Sequence, residues 1–422
     1  MIDPTRPVAV VGAGVVGMAC ARALQRARVP VLVLDPNEPG SGCSAGNAGC
    51  IATELVRPLA QPRLFLRLPR LLLDSTGPLA LKPAGLPDLF PWVRRFLRAC
   101  LPERFAAGTQ ALATLLALTW PAWRDEIAAS GLTDLFVEGG TISVYERRSG
   151  LRRAAVEALD LKRYGVAFHD LDPATARGYV PTLRVPIAGA RLFPGAGHVT
   201  DPRALVERMA ARFADEGGHI ERAAVVGFST ARGRVTHVRI DGDAIDVGGV
   251  VIAAGVTSSI VTSMLGTSVP LAPERGYHVM VSGEELPLDY PVTFEDRGFV
   301  CTPMAAGTRL AGTVELGGGA EPDWRRAEIL AAHARTLFGQ PKLAVESRWF
   351  GNRPTLPDYL PMIGFAPRIA NAIVATGHQH LGLTLAAATG QLVKELAMGG
   401  RPSIDLAPFR VDRFGAMRVS GA

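Results

Sequence analysis

The pattern of apolar and polar positions in the first 35 residues predicts a strand, a helix and a second strand. Residues 8–11 are four consecutive apolar residues, which is typical of a buried strand. Residues 18–27 are rich in Ala, Leu and Arg, which favour a helix, and residues 29–34 are a second apolar run. Glycines in residues 12–17 separate the first strand from the helix. We therefore predict a βαβ unit with two parallel strands.

Periodicity along the remaining chain predicts a mixture of helices and strands. Residues 57–104 hold eight prolines, so only short helices are expected there. Further helices are predicted at residues 109–129, with a break at Pro121, and at 151–164, 202–213, 322–338 and 383–398. Strands are predicted at residues 220–228, 235–240, 250–254, 372–375 and over most of 275–315, and residues 136–145 are predicted to form a pair of strands around Gly139 and Gly140.

The composition is that of a globular protein. With 422 residues, 48% of them hydrophobic and 20% charged, the chain is long enough for two domains. Its five cysteines include no CxxC spacing, so neither a disulfide framework nor a zinc site is expected, and we predict no bound metal. The first residues lack the pattern of a cleavable signal, which favours a cytoplasmic location.

Positive charge is concentrated in the proline-rich segment, residues 57–104. This segment holds nine basic and three acidic residues, an excess of six that equals the formal net charge of +6 of the whole chain. Nucleic-acid binding is not predicted, because the sequence lacks basic stripes with aromatic platforms and known reading motifs. Two interpretations stay open: a solvated basic surface, or peripheral contact with the anionic inner face of the cell membrane.

The glycines after the first strand form a dinucleotide-binding fingerprint. Gly12, Gly14 and Gly17 have the G-x-G-x-x-G spacing. The first glycine permits a tight turn, the second lets a pyrophosphate approach the backbone, and the helix N-terminus contributes partial positive charge. Asp35, at the end of the second strand, is placed to accept hydrogen bonds from ribose hydroxyls. The fingerprint fits NAD and FAD equally well.

Two further junctions between a strand and a glycine turn favour FAD. Residues 250–254 form an apolar run that ends at Gly255, and residues 372–375 lead towards Gly377 and His378. A nicotinamide enzyme needs one such junction, whereas several can hold the larger flavin cofactor at both ends. A nicotinamide-dependent dehydrogenase and a non-catalytic flavin-binding module remain alternatives.

Three motifs resemble the D-amino-acid dehydrogenase branch of the glycine oxidase and D-amino-acid oxidase superfamily. Residues 44–49, Ser-Ala-Gly-Asn-Ala-Gly, look like the flavin loop of that branch. Residues 351–358, Gly-Asn-Arg-Pro-Thr-Leu-Pro-Asp, resemble its arginine-containing element. Residues 377–384, Gly-His-Gln-His-Leu-Gly-Leu-Thr, are similar to its last glycine turn. The motifs occur in the same order, and the resemblance extends over nearly the whole chain.

The resemblance implies an α/β fold in which a Rossmann-like FAD-binding domain is interleaved with a mixed-sheet, α+β substrate-binding domain. The FAD-binding domain is expected to comprise residues 1–55, 190–270 and 350–415. The substrate-binding domain is expected to comprise residues 56–189, which include the proline-rich segment, and residues 271–349.

FAD is the implied cofactor. We expect it to bind non-covalently, because no cysteine lies in residues 353–358 or in the last glycine turn, although Cys43 and Cys50 flank the flavin loop. The residues expected to bind FAD are Gly12, Gly14, Val16, Gly17, Asp35, Pro36, Ser44, Asn47, Ala48, Gly49, Val225, Ala254, Gly255, Gly377, His378, Gly382, Leu383 and Thr384.

Three residues are candidates for substrate contact. The resemblance implies that Arg353 binds the substrate carboxylate, a task that suits a planar guanidinium. It also implies that Tyr277 lines the substrate pocket, with a buried aromatic of the core as the alternative. His380 is our candidate for substrate specificity, with a solvated loop histidine as the alternative. His378 and His380 have a metal-ligand spacing, but two ligands without a third are weak evidence for a metal.

The reaction implied is the oxidation of a small D-amino acid, with hydride transfer from Cα to flavin N5. Three departures from the branch, at Leu383, His380 and residues 355–358, favour a cyclic substrate such as D-proline or cis-4-hydroxy-D-proline. A glycine or sarcosine type of amine oxidase that uses oxygen is the alternative within the superfamily. The electron acceptor, a quinone or oxygen, stays open.

Overall fold

A computed structural model of the chain describes residues 2–62, 64, 77–82, 85–319 and 321–415. Part of the proline-rich segment, residues 63, 65–76, 83 and 84, lies outside the described residues. The described α-helices are α1 (Val15–Arg26), α2 (Leu86–Ala99), α3 (Pro102–Leu116), α4 (Thr119–Ser130), α5 (Arg148–Arg163), α6 (Pro173–Tyr179), α7 (Pro202–Asp215), α8 (Ser258–Ser263), α9 (Arg325–Phe338) and α10 (Gly382–Ala397).

Strands in the described part of the chain form four sheets. The strands are β1 (Val8–Val11), β2 (Val31–Leu34), β3 (Cys50–Ile51), β4 (Leu79–Leu81), β5 (Phe136–Val137), β6 (Thr141–Tyr145), β7 (His169–Leu171), β8 (Gly189–Phe193), β9 (Gly197–Val199), β10 (His219–Glu221), β11 (Val225–Ala231), β12 (Arg234–Ile240), β13 (Asp243–Asp246), β14 (Gly249–Ile252), β15 (Ala272–Val281), β16 (Val292–Phe294), β17 (Phe299–Met304), β18 (Gly307–Leu316), β19 (Ser347–Thr355), β20 (Met362–Phe365) and β21 (Ala372–Thr376).

The first sheet has the strand order β10-β2-β1-β14-β21-β20, and all its pairs are parallel except β20 with β21. Side chains on one face, including Val10 and Val251, pack against α1 and α10. Side chains on the other face, including Val11 and Ile252, pack with β12 and α8. Because both faces are covered, the inner strands β2, β1, β14 and β21 are largely apolar runs, as their sequence predicted.

Close packing of α1 on α10 depends on one glycine. A Cβ at Gly390 would lie 2.7 Å from the carbonyl carbon of Ala19 and closer still to its oxygen. The backbones of the two helices are therefore in direct contact. This contact brings the first and last glycine turns to the same edge of the sheet.

The largest sheet has the order β19-β15-β18-β17-β16-β6-β8-β7, and β4 also pairs with β18. Its pairs are antiparallel apart from β16 with β6 and β18 with β4. Helix α9 packs against one face through buried residues such as Leu330 and Leu337, which share a core with Val279. The fold is thus the expected α/β arrangement with a second, mixed sheet.

Two strand predictions differ from the structure. The strand pair predicted around Gly139 and Gly140 is present as β5 and β6, but β5 pairs with β9 and β6 pairs with β8 in a different sheet. Residues 220–228 are divided into β10 of the parallel sheet and β11 of a separate three-stranded sheet. The predicted helix at 109–129 is α3 and α4, and Pro121 lies in the first turn of α4, where a missing N–H is tolerated.

The expected domain boundaries can be compared with the sheets. Residues 190 and 350 fall inside β8 and β19, and both strands belong to the largest sheet. The pairing therefore groups these strands with the second domain rather than with the parallel sheet. No helix in the described ranges is long and apolar enough to cross a membrane.

Candidate functional site

Close backbone packing requires glycine in the first glycine turn. Gly12 has a φ of 110°, and a Cβ there would lie 2.8 Å from the carbonyl carbon of Ala253. A Cβ at Gly17 would lie 2.9 Å from the carbonyl carbon of Gly12. Helix α1 has no side-chain cap and no acidic residue in its first turn, which contains Val16. Its N-terminus is thus open to an anion.

Two polar side chains surround this turn. The Ser44 hydroxyl accepts a hydrogen bond from Val15 N–H at 2.9 Å, which brings the predicted flavin loop to the N-terminus of α1. One Asp35 oxygen accepts from Ala13 N–H at 2.8 Å and the other from Asn37 N–H at 2.9 Å. The carboxylate is half-buried and oriented, with lone pairs left for ribose hydroxyls, whereas the neighbouring Pro36 is exposed.

The other two strand-to-glycine junctions lie side by side, because β14 and β21 are neighbours in the sheet. Gly255, which follows Ala254, has a φ of 56°, and its carbonyl accepts a hydrogen bond from Thr376 Oγ1 at 3.1 Å. Val225 is half-buried at the start of β11 and packs on the core of the parallel sheet. The predicted cofactor residues thus surround the same sheet edge.

The last glycine turn is held by buried contacts. Gly377 has a φ of 80°, and a Cβ there would lie 2.7 Å from Leu356 Cγ. His378 Nε2 hydrogen-bonds to Thr389 Oγ1 at 2.9 Å, and burial lowers the pKa of His378 to about 3. His378 is therefore neutral at physiological pH, and this contact anchors the turn to α10.

The start of α10 is tied to the strand that follows the flavin loop. Thr384 Oγ1 accepts a hydrogen bond from Ala52 N–H at 3.1 Å and donates one to the Cys50 carbonyl at 3.3 Å. Leu383, next to Gly382, is buried, and its carbonyl accepts from Trp123 Nε1 at 3.1 Å. The flavin loop and the last glycine turn are thereby brought together.

The Arg353 side chain lies on one face of the largest sheet. Every second residue of the neighbouring strand β15 projects to the same face. The pairing of β15 with β19 places Glu274 opposite Arg353, Gly276 opposite Gly351 and His278 opposite Trp349. Because directly paired residues share a face, these side chains all project to one side. We call this side the Arg353 face; Arg309 of β18, paired with Met280, belongs to it as well.

A glycine and a carboxylate hold the Arg353 guanidinium in place. A Cβ at Gly276 would lie 2.7 Å from Arg353 Nη1 and closer to Cζ and Nη2, so the guanidinium covers the glycine. Arg353 Nη1 donates to Glu274 Oε1 at 3.1 Å. Glu274 is buried, and its other oxygen accepts hydrogen bonds from Thr355 Oγ1 at 3.2 Å and Tyr359 OH at 3.1 Å. The arginine side chain retains 24% exposure, so donors remain for a ligand.

His380 lies near this ion pair. Burial lowers the pKa of His380 to about 4, with Glu274 acting in the raising direction and Arg353 in the lowering direction. The imidazole is neutral at physiological pH. Three predicted features, Arg353, His380 and the flavin loop, are therefore brought to one side of the sheet.

Tyr277 is not part of this group. It neighbours Gly276 on β15 and so projects from the opposite face, where its ring packs against Trp324 and Phe350. Its hydroxyl accepts a hydrogen bond from Asp323 N–H at 2.9 Å and donates to Glu315 at 3.3 Å. The structure places Tyr277 in the core of the second domain, which matches the alternative of a buried aromatic and not the expected pocket lining.

Sequence reasoning missed three residues of the Arg353 face: Glu274, His278 and Arg309. Arg309 donates to the carbonyls of Ala45 and Asn47, and His278 Nδ1 donates to that of Gly46 at 3.2 Å. The sequence signal was weak, because Glu274 and His278 are four positions apart in β15 and charged Arg275 lies on the opposite face of the same strand.

The flavin loop also contacts an aromatic pair. The Trp349 ring stacks on His278 with ring centroids 5.1 Å apart, and a Cβ at Gly46 would overlap that ring. Glycine is therefore required at position 46, because the Trp349 ring lies directly against its backbone. Within the described ranges, no group of three or more His, Cys, Asp or Glu side chains is arranged to hold a metal ion.

These features define a class of protein: a dinucleotide-binding parallel sheet with several glycine turns at one edge, and a mixed sheet that presents an arginine beside them. A family model described as DAO, FAD dependent oxidoreductase, matches residues 7–396. The chain belongs to this family of FAD-dependent oxidoreductases.

Relatives and solved structures agree with the family. The chain is 34% identical over 417 residues to a D-amino-acid oxidase from Bradyrhizobium diazoefficiens, covering 97% of this chain and 99% of that one. It is 29% identical over 426 residues to a D-amino acid dehydrogenase from Granulibacter bethesdensis, and the match covers 96% of this chain and 99% of that one. Glycine oxidase from Geobacillus kaustophilus has the same fold, with a TM-score of 0.75, 23% identity and coverage of 97% and 99%.

Proposed function

We propose that this enzyme oxidises a small D-amino acid at Cα and that Arg353 binds the substrate carboxylate. The observation that carries the proposal is the guanidinium lying over Gly276, oriented by buried Glu274 and beside neutral His380. The names of the full-length relatives, D-amino-acid oxidase and D-amino acid dehydrogenase, support the substrate class.

The N-terminus of α1 fits the pyrophosphate of FAD, since its N-cap residue is Gly14 and its first turn holds no acidic side chain. Gly12, Gly14 and the N-terminus of α1 would hold the pyrophosphate, and Asp35 the ribose, without a covalent bond. The flavin loop and residues 377–384 would hold the isoalloxazine. When bound, FAD supplies an acceptor for the hydride from the substrate Cα.

The side chains of the site position the substrate rather than exchange protons with it. Arg353 would form charge-assisted hydrogen bonds with the carboxylate and so fix one end of the substrate. His380, with its lowered pKa, stays neutral and adds no positive charge beside the amine. A neutral amine then leaves its lone pair available as Cα loses hydride.

The experiment that tests this proposal is the anaerobic visible spectrum of the purified protein with a panel of D-amino acids. Bleaching of the flavin bands by D-amino acids, but not by their L-enantiomers, is expected. Arg353→Met is expected to need far higher substrate concentrations for the same bleaching. A yellow protein that no panel member bleaches would contradict the substrate class, and a protein that takes up no FAD would contradict the cofactor site.

Within this class we propose a cyclic substrate, D-proline or cis-4-hydroxy-D-proline. The support is Leu383 at a position where the dehydrogenase branch has tryptophan, together with His380 near Arg353. Anaerobic reduction rates for the two cyclic substrates and for D-alanine rank the candidates. Faster reduction by D-alanine than by both cyclic substrates would refute the cyclic preference.

A quinone acceptor at a membrane surface is favoured by one face of α2. Phe90 and Leu97 are 68% and 37% exposed and lie about two helical turns apart, next to exposed Arg94 and Arg98. Leu101 follows with 54% exposure. We expect the protein to sediment with anionic vesicles at low salt. This sedimentation should be lost at high salt and in the double variant Arg94→Glu/Arg98→Glu. If the protein does not sediment with vesicles and air rapidly reoxidises its reduced flavin, oxygen is the acceptor.

A further inference from the structure

The flavin loop is held by side chains of the other domain. Arg309 on β18 donates hydrogen bonds to the carbonyls of Ala45, at 3.1 Å, and Asn47. His278 on the adjacent strand β15 hydrogen-bonds through Nδ1 to the Gly46 carbonyl at 3.2 Å. Three consecutive carbonyls thus accept from two side chains of the Arg353 face.

The contacts of Arg309 determine which way the loop N–H groups point. In a trans peptide the C=O and N–H bonds point in opposite directions. Because the Ala45 and Asn47 carbonyls point at Arg309, the N–H groups of Gly46 and Ala48 must point away from it. Neither N–H has an acceptor among the described residues, whereas Asn47 N–H is bonded to the Ser44 carbonyl at 3.2 Å.

We propose that Arg309 is a positioning residue for the cofactor, which turns the Gly46 and Ala48 N–H groups toward the bound flavin. The isoalloxazine ring carries several oxygen and nitrogen acceptors, so two oriented donors suit it. His278 completes the arrangement by holding the carbonyl between the two. This inference rests on the proposed assignment of residues 44–49 to the flavin.

The surroundings of Arg309 support a role in the loop. In the described part of the chain no carboxylate forms a salt bridge with Arg309, and its other contact is from Nε to Met280 Sδ at 3.4 Å. Arg309 is half-buried, and a cation taken partly out of water without a carboxylate partner is costly unless its hydrogen bonds are satisfied. The loop carbonyls satisfy them, so the arginine and the loop stabilise each other across the two domains.

The test compares FAD affinity with the stability of the protein without FAD. We expect Arg309→Gln to raise the Kd for FAD roughly 10- to 100-fold, because two neutral N–H donors of the loop no longer point toward the flavin. Arg309→Lys, which keeps the charge but not the fork of donors, should fall between that variant and the original protein. The matched control is Arg348→Gln, since Arg348 lies over Trp324 at 4.3 Å, on the opposite face.

Kd is measured by titrating FAD into protein stripped of the cofactor and following flavin fluorescence, and thermal unfolding is recorded with and without FAD. Should Arg309→Gln fail to fold, Arg309→Lys and His278→Phe, which retains stacking on Trp349, decide the question. Unchanged Kd in these variants, or equal loss of stability with and without FAD, would overturn the inference. If the original protein binds FAD but oxidises no D-amino acid, the proposed function fails while this comparison remains valid.

Discussion

Replacing Gly276 by alanine should disable carboxylate binding while leaving the fold intact. The new Cβ would lie 2.7 Å from Arg353 Nη1 and closer to Cζ, well inside the roughly 3.5 Å of normal van der Waals contact between carbon atoms. Because the guanidinium is the end of a flexible side chain, it moves and the backbone stays. Gly276 is not among the glycines with positive φ, so alanine is sterically allowed in the strand.

The magnitude follows from the hydrogen bonds that the displaced guanidinium can no longer make. A hydrogen bond to a charged group contributes about 1.5–3 kcal/mol, so losing one to the substrate raises KM by roughly 10- to 100-fold, and losing two raises it further. Alanine also reduces the conformational entropy of the unfolded chain by about 0.4–1 kcal/mol, which offsets part of any strain. The midpoint of thermal unfolding should therefore change little.

The assay is the steady-state rate with the best D-amino acid, together with a titration by propionate, which has a carboxylate but no amine. Gly276→Ala should raise KM and weaken propionate binding, as judged by the flavin spectrum, while the FAD content stays normal. Gly178→Ala is the matched control, because a Cβ there meets nothing within 4 Å. An unchanged KM in Gly276→Ala would refute the carboxylate role of Arg353, and a large loss of thermal stability would refute the mobile-guanidinium argument.

Three further outcomes are expected. Burial lowers the pKa of His378 to about 3 from an ordinary 6.5, so below pH 6.5 the unfolded state binds more protons than the folded state. The free energy of unfolding should therefore decrease as the pH is lowered from 7 to 5. In His378→Gln the midpoint of thermal unfolding should depend less on pH over this range. Gly390→Ala, whose Cβ would meet the Ala19 carbonyl, should destabilise the protein by about 1–3 kcal/mol in urea unfolding. An unchanged urea midpoint in this variant would contradict the close packing of α1 on α10. Trp92→Phe removes the hydrogen bond from Nε1 to the Thr355 carbonyl and should cost about 1 kcal/mol in the same assay, whereas no loss would show that water replaces it.

The sequence by itself predicted the central strands and the glycine turns of the parallel sheet, because their signals are local. Each glycine turn follows its strand directly in the chain, and the apolar runs at β1, β2, β14 and β21 reflect burial on both faces of a parallel sheet. The G-x-G-x-x-G spacing places Gly12, Gly14 and Gly17 within a single turn. Such features depend on residues within a few positions of each other, so they could be predicted without knowing the tertiary structure.

Only the tertiary structure decided which side chains share a face of the mixed sheet. The register of β15 with β19 puts Glu274 and Gly276 with Arg353, and it turns Tyr277 into the opposite core. The pairing of β15 with β18 brings His278 and Arg309 to a loop more than 200 positions earlier in the chain. Strand register is set by contacts distant in sequence, and a shift of one residue exchanges the two faces of a strand. For that reason the arginine could be recognised from its motif, whereas the residues that hold it and the flavin loop could not.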